Sequence, residues 1–297
     1  HFNESDDENF LYGMIPKNWQ HQKTIFEGKE VEAYYKGKLS KGKNEGLGTQ
    51  IILENNGWGI EVISYYKGNW KNGKKNGKGF WSNVHPLVGT VNPLGDGDGY
   101  VYYAIDYENP GLYYKGNWLE GNFNGYGTLE YSNGITLEGN FFNGLLDGKG
   151  TQKNKNGYIY NGDWKIGEKT GIAIINYDGG GNYEGGVLKG TRNGKGKLTL
   201  LDGSILEGNF INGTISGKGS IIYANGDSYQ GELLKNNIEG QGIKKFASGS
   251  KYDGSFKNNL FNGFGFYETK DGYKAEGNWY KGQIEGKGKI TYPDLSV

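Results

Sequence analysis
The chain has 297 residues, of which 56 are glycine and only 5 proline, a balance that excludes collagen and a proline-rich linker. Lysine plus arginine equals aspartate plus glutamate at 33 each, so the basic excess of a nucleic-acid binder is missing. Cysteine is absent, which removes disulfides, thiolate metal sites and cysteine nucleophiles, and no apolar run approaches the ~18 residues of a membrane span.

Residues 1–34 come first and lack the spacing of the rest of the chain. An acidic start at Glu4–Glu8, expected to fray, leads into two segments, Phe10–Trp19 and Thr24–Tyr34, with enough apolar residues to cap a first strand. From Tyr35 the chain repeats. Openings at Tyr35, Tyr66, Tyr114, Leu137, Tyr160, Tyr183, Leu206, Tyr229, Tyr252 and Ala275 start ten units, the last eight spaced by 23 residues. Two places after each opening stands a glycine, from Gly37 to Gly277, and two places later a bulky residue such as Trp70, Trp118, Phe141 or Trp279. Seven places after each opening only glycine or asparagine occurs, including Gly42, Gly121, Asn236 and Asn259; this pairing predicts a left-handed residue at the end of the first strand. Asn133-Gly134, Asp202-Gly203 and Asn225-Gly226 precede later openings and predict two-residue type I′ hairpins between units. Each unit therefore reads as two short antiparallel strands.

Alternation assigns the faces. Tyr114, Gly116 and Trp118 share one side while Lys115 and Asn117 share the other, which predicts an aromatic-and-glycine layer backed by a polar face. A glycine between two rings leaves a hole where a neighbouring strand's aromatic lies flat. Twenty strands at ~4.8 Å make a twisted ribbon of roughly 100 Å, stabilised unit against unit in the manner of a solenoid.

The unit running from Tyr66 through Gly68, Trp70, Gly73 and Gly77 to Gly79 resembles the MORN (membrane occupation and recognition nexus) repeat. The resemblance covers residues 35–292 and implies an all-β, elongated, twisted single-layer antiparallel sheet. It also implies a scaffold for other proteins, in a ciliary (radial-spoke-like) or cortical cytoskeletal assembly of the cytoplasm. Departures are Ala173 in a glycine column and Leu137, Leu206 and Ala275 in place of the opening tyrosine.

Two junctions are long. Insertions near 51–64 and 82–111 fall at the same corner of adjacent units and are expected to project from one edge. They bring Trp58, Val88, Leu94, Tyr100, Tyr102 and Tyr103 together as a candidate partner-binding patch. The competing reading is tolerated loop growth. A row one place after the openings runs Lys36, Lys67, Lys115, then Glu138, Glu184, Glu207 and Glu276; it is either a solvated face or a charged docking strip. The tail 293–297 follows Tyr292, and the last strand edge is open to a second copy.

Catalytic chemistry finds little material. The histidines His1, His21 and His85 stand far apart, and no Ser-His-Asp or His-Glu-x-x-His arrangement occurs. Gly77-Lys78-Gly79 lacks the spacing of a phosphate loop, and Asp96 with Asp98 lacks the twelve-residue calcium loop. The expectation is a non-enzyme with no cofactor and no metal, whose partners are proteins. A phospholipid surface is the second reading, because lysines in the turns attract anionic headgroups. A regulatory array for a separate enzyme chain is the third.

Overall fold
The structure is a computed structural model and describes residues 19–55, 60–83 and 112–293. Among these residues there is no helix. Twenty-one strands form, and every pairing is antiparallel. The chain divides into two units, residues 1–155 and 156–297.

The first unit holds β1 (Gln20–Phe26), β2 (Lys29–Ser40), β3 (Lys43–Asn55), β4 (Ile60–Lys71), β5 (Lys74–Ser82), β6 (Leu112–Leu119), β7 (Asn122–Tyr131), β8 (Thr136–Phe142) and β9 (Leu145–Lys153). Each pairs with its neighbours in sequence. The strand β1, before the repeats, adds itself to the first repeat through Gln20↔Tyr35 to Phe26↔Lys29. At the first insertion the hairpin strands are simply longer, β3 running on to Asn55 and β4 starting at Ile60.

The second unit holds β10 (Ile159–Lys165), β11 (Glu168–Asn176), β12 (Asn182–Leu188), β13 (Thr191–Thr199), β14 (Ile205–Ile211) and β15 (Thr214–Ile222). It continues with β16 (Ser228–Leu234), β17 (Asn237–Lys245), β18 (Lys251–Lys257), β19 (Leu260–Glu268), β20 (Lys274–Tyr280) and β21 (Gln283–Thr291) in the same meander.

The register explains the glycine columns. In the first unit Gly37, Gly48, Gly68 and Gly79 pair in turn, and the ladder continues through Gly116, Gly127, Gly139 and Gly150. The second unit repeats it from Gly162 to Gly288, with Ala173 standing in one rung. The rung needs glycine because the unit's own opening tyrosine lies across it. A Cβ on Gly116 would come 2.5 Å from the Tyr114 hydroxyl, and one on Gly127 would come 2.6 Å from its Cζ. The hole between the rings is thus filled by the tyrosine of the same unit, where the sequence suggested an aromatic from a neighbouring strand. The reason is a bulge: Gly116 pairs with Gly127, while Trp118 already pairs with Phe123. The bulged carbonyl accepts the tyrosine hydroxyl, Tyr114 to Asn117 at 3.0 Å, Tyr66 to Asn69 at 2.9 Å and Tyr229 to Glu232 at 2.8 Å.

Where the opening tyrosine is missing, an aliphatic residue nine places later takes its space. Leu146, Ile215 and Ile284 send their terminal methyls toward Gly139, Gly208 and Gly277. The departures from the repeat at Leu137, Leu206 and Ala275 are therefore compensated within their own units.

The turns reverse one expectation. All ten residues of the glycine/asparagine column are left-handed, from Gly42 at φ 72° to Gly282 at φ 85°. The residue before each is left-handed too, as at Lys41, Glu120 and Lys189, so the type I′ turn lies inside the unit, between its two strands. The Asn-Gly corners between units are three-residue loops instead. Only Gly134 has positive φ at Asn133-Gly134; its N–H bonds to Tyr131 O at 2.9 Å, and Tyr131 N–H bonds to Ile135 O at 2.8 Å. This is a type I turn closed by a glycine bulge. Asn133 favours it by accepting the Ile135 N–H on its side-chain oxygen at 3.0 Å.

Candidate protein-interaction surface
One face of each unit is closed on itself. Tyr35, Tyr114, Tyr160, Tyr183 and Tyr252 have no exposed surface, although each lies in a single layer of strands. Their cover is the bulky residue four places on, from their own unit and the next. Trp118, for example, stands edge-on to both Tyr114 at 5.3 Å and Tyr66 at 5.2 Å. Burial pushes the phenols of Tyr114, Tyr160 and Tyr252 up to about 12.

Three units place a cation among these rings. Nine places after the opening, where Phe123 and Phe261 stack on their tyrosines at 3.8 and 3.7 Å, stand Lys75, Lys169 and Arg192. The Lys75 amine lies 5.0 Å from the Tyr66 centroid, 4.9 Å from Trp118 and 5.7 Å from Trp81. Lys169 has Tyr158, Tyr160 and Trp164 around it and donates to the Tyr158 hydroxyl at 3.2 Å. Arg192 donates to Gly213 O at 2.8 Å. Burial lowers the amines of both lysines, that of Lys75 to about 7, while the surrounding rings favour the cation and oppose the shift.

The sign of the Lys75 shift predicts a pH dependence. Below pH 7 the amine is protonated folded and unfolded, and its desolvation cost is fully present. Between about 7 and its ordinary 10.5 the unfolded chain binds the extra proton, so stability rises with pH across that window. Lys75→Ile, which imitates Ile238 at the equivalent place, is expected to gain about 1–2 kcal/mol at pH 6 and nothing near pH 10. Thermal melts of parent and variant from pH 6 to 10 check it. A variant no more stable at pH 6 would mean that the rings recover the whole cost of burial.

The opposite face differs between the units. The sequence suggested a polar face throughout. In the first unit, however, Tyr34, Ile51, Tyr65, Ser82 and Tyr113 lie in one cross-strand row on that face, and Ile51, Tyr65 and Ser82 are buried. Trp19 packs here with Ile51, Leu53 and Tyr65, against Tyr34 and Phe80. The same positions recur in every repeat and are polar in later ones, as at Glu130 with Thr136 and Lys245 with Lys251, so reading the faces from the repeat at Tyr114 missed the apolar row.

The charged row is present in the register of each unit taken separately. In the first, Lys36, Thr49, Lys67, Phe80, Lys115, Thr128 and Glu138 follow one another across the strands. In the second, Glu184, Lys197 and Glu207 alternate in charge, because the second strand of the unit supplies a lysine between the acids. Glu276 pairs with Lys289 in the same way. The sequence row counted first strands only and so missed these lysines. Glu184 and Glu207, with Lys195, Lys197, Lys218 and Ile172, line an open groove of about 450 Å³ along the glycine ladder.

Of the candidate partner-binding patch, Trp58, Val88, Leu94, Tyr100, Tyr102 and Tyr103 all lie outside the described residues. Among the described residues no three metal-ligating side chains converge, and no helix is long and apolar enough to cross a membrane.

No curated protein matches the chain. The MORN repeat model matches eight segments, 66–82, 114–136, 138–157, 183–205, 207–228, 229–251, 252–272 and 276–297. That is two fewer than the ten units counted from the sequence. The unmatched units at Tyr35 and Tyr160 nevertheless have the same hairpin, the same hydroxyl bond (Tyr160 to Asp163 O at 2.7 Å) and the same left-handed turn. With its matches spanning more than half of its length, the chain belongs to the MORN-repeat family.

Proposed function
We propose that the chain is a non-enzymatic scaffold that holds other proteins of a larger assembly against its open face. The observation that carries this reading is the asymmetry of the sheet in the second unit. The aromatic face is filled by the chain's own rings, whereas the opposite face leaves charged rows and large apolar side chains such as Ile172, Ile174, Phe264 and Phe266 exposed. Exposed apolar side chains set among fixed charges are what a partner surface uses for affinity and for register. A ciliary, radial-spoke-like assembly or a cortical cytoskeletal one is the setting that this reading gives the scaffold.

Cross-linking the protein in intact cells and identifying its neighbours by mass spectrometry tests the reading. Reproducible protein neighbours linked to open-face lysines such as Lys195, Lys197 and Lys218 are expected. Recovery of the chain alone and monomeric would defeat it.

One observation favours a phospholipid surface as the second reading: the first unit aligns Lys36, Lys67 and Lys115 with no acid between them. Vesicles of phosphatidylcholine with and without phosphatidylserine separate the two readings. Salt-sensitive binding to the anionic vesicles alone supports the lipid reading, and its absence at low salt removes it.

A further inference from the structure
The residue five places after each opening precedes the type I′ turn and points away from the aromatic face, because the bulky residue before it points into that face. In the second unit this column reads Lys165, Leu188, Ile211, Leu234, Lys257 and Tyr280. Three consecutive repeats thus present an aliphatic residue, with exposures of 51%, 50% and 54%, and a lysine stands at each end of the run. Lone exposed leucines need no explanation, but an aligned and bounded set of three does.

The turns hold this ridge in line. The N–H of the left-handed residue in each turn bonds to a carbonyl of the preceding repeat: Gly190 to Lys169 O, Gly213 to Arg192 O and Asn236 to Ile215 O, at 2.9–3.1 Å. The three ridge residues lie on β12, β14 and β16, two strands apart, hence roughly 9.6 Å from one to the next. Seven residues of α-helix rise about 10.5 Å. A helix laid across the strands therefore meets one ridge residue per heptad, and the two bounding lysines limit the contact to about three heptads.

Charge selects the helix. Lys189 and Lys235 lie in the turns beside the ridge, both exposed, and Lys195 and Lys218 stand exposed on its inner side. Of the acids on this face, Glu232 stands opposite Lys218 and Glu239 accepts the Asn258 N–H, both at the Leu234 end, while Glu184 and Glu207 lie four residues back along the strands from Leu188 and Ile211 and pair with Lys197. A second copy of the chain, packed ridge to ridge, would set Lys189 and Lys235 against their own counterparts. An acidic partner meets no such repulsion.

We infer that the ridge Leu188–Ile211–Leu234 is the docking site for an amphipathic α-helix of about three heptads, with an apolar stripe flanked by glutamate or aspartate. This rests on the scaffold reading and names the partner's chemistry. The two fail separately: neighbours cross-linked elsewhere on the chain leave the scaffold standing without this site.

The test uses the full chain and a fluorescein-labelled synthetic peptide of three heptads, with leucine at the first and fourth positions and glutamate on the flanks. A second peptide carries lysine in place of every glutamate. Anisotropy titration at low salt is expected to show saturable binding of the glutamate peptide and at least about tenfold weaker binding of the lysine peptide. Ile211→Glu is expected to weaken the glutamate peptide about tenfold or more, with thermal melting unchanged because the side chain is exposed. Lys189→Glu with Lys235→Glu reverses the preference between the peptides. Failure of the glutamate peptide to bind, equal binding of both peptides, or indifference to Ile211→Glu would each overturn the assignment.

Discussion
Alanine at Gly242 is expected to destabilise its repeat by about 3 kcal/mol, while alanine at Gly144 costs about 1 kcal/mol. Both changes add one methyl group. At Gly242 the new Cβ would lie 2.5 Å from Cε2 and 2.6 Å from Cζ of Tyr229, a ring held down by its hydroxyl bond to Glu232 O at 2.8 Å. The ring has nowhere to retreat, since Phe256 stands edge-on to it at 5.3 Å. Relief of the clash expels the tyrosine, which forfeits its hydrogen bond and opens the aromatic layer. At Gly144 nothing lies within 4 Å of the added carbon, and only the left-handed backbone, φ 86°, resists. That strain is modest, for Asn236 and Asn259 occupy the same column at φ 71° and 68°. Hydrogen exchange on the two variants separates local from global effects, as is needed in an array whose repeats open semi-independently. Equal protection loss in both would show that the tyrosine-over-glycine contact does not hold the unit together.

Tyr252→Ala is expected to cost about 3–5 kcal/mol, the range for removing a buried aromatic side chain. Tyr252 is fully buried, stacks on Phe261 at 3.7 Å, and stands edge-on to Phe256 at 5.1 Å and Trp279 at 5.5 Å. Tyr252→Phe removes only the hydroxyl bond to Ser255 O at 3.1 Å and is expected to cost about 1 kcal/mol. The repeat beginning at Leu206 shows how the chain manages without the ring, since Ile215, fully buried, fills the space from the second strand. Tyr252→Leu combined with Phe261→Ile should therefore be more stable than the sum of its parts. Denaturation of the two single variants and the double variant measures that coupling, and strict additivity would refute the compensation.

The interaction surface follows from the same economy. Because each rung is covered from within its own repeat, by the opening tyrosine or by the aliphatic residue that replaces it, the aromatic face needs no second layer, and the opposite face of the second unit is left to carry charge and apolar contacts. The opening tyrosines, the glycine ladder and the bonds from each turn to the preceding repeat maintain a stiff backing. The side chains one, three and five places after each opening, and those facing them on the second strands, vary freely upon it, and there Lys197, Glu207 and the ridge at Ile211 supply the recognition chemistry.

The period of 23 residues, the two strands per repeat and the left-handed column are determined by the sequence alone. A glycine or asparagine at every seventh place after the opening admits one physical reading, and all ten positions follow it. Which corner takes the type I′ turn was not legible. The first central residue of that turn is Lys41, Glu120, Ile166 or Asn212, types with no shared turn signature, whereas Asn133-Gly134 suits either a type I′ turn or a type I turn with a glycine bulge. Strand pairing decides between them, because the bulge at Gly116 sets the number of residues left at each corner. Pairing likewise decided that a tyrosine covers its own rung, that Lys75 enters a cage of three rings, and that Trp19 covers part of the first unit's second face. The column Leu188, Ile211, Leu234 is plain in the sequence, but its exposure is not. Alternation through Tyr183, Gly185 and Val187 turns the next residue outward, and only the folded sheet shows that Leu188, Ile211 and Leu234 stay half exposed.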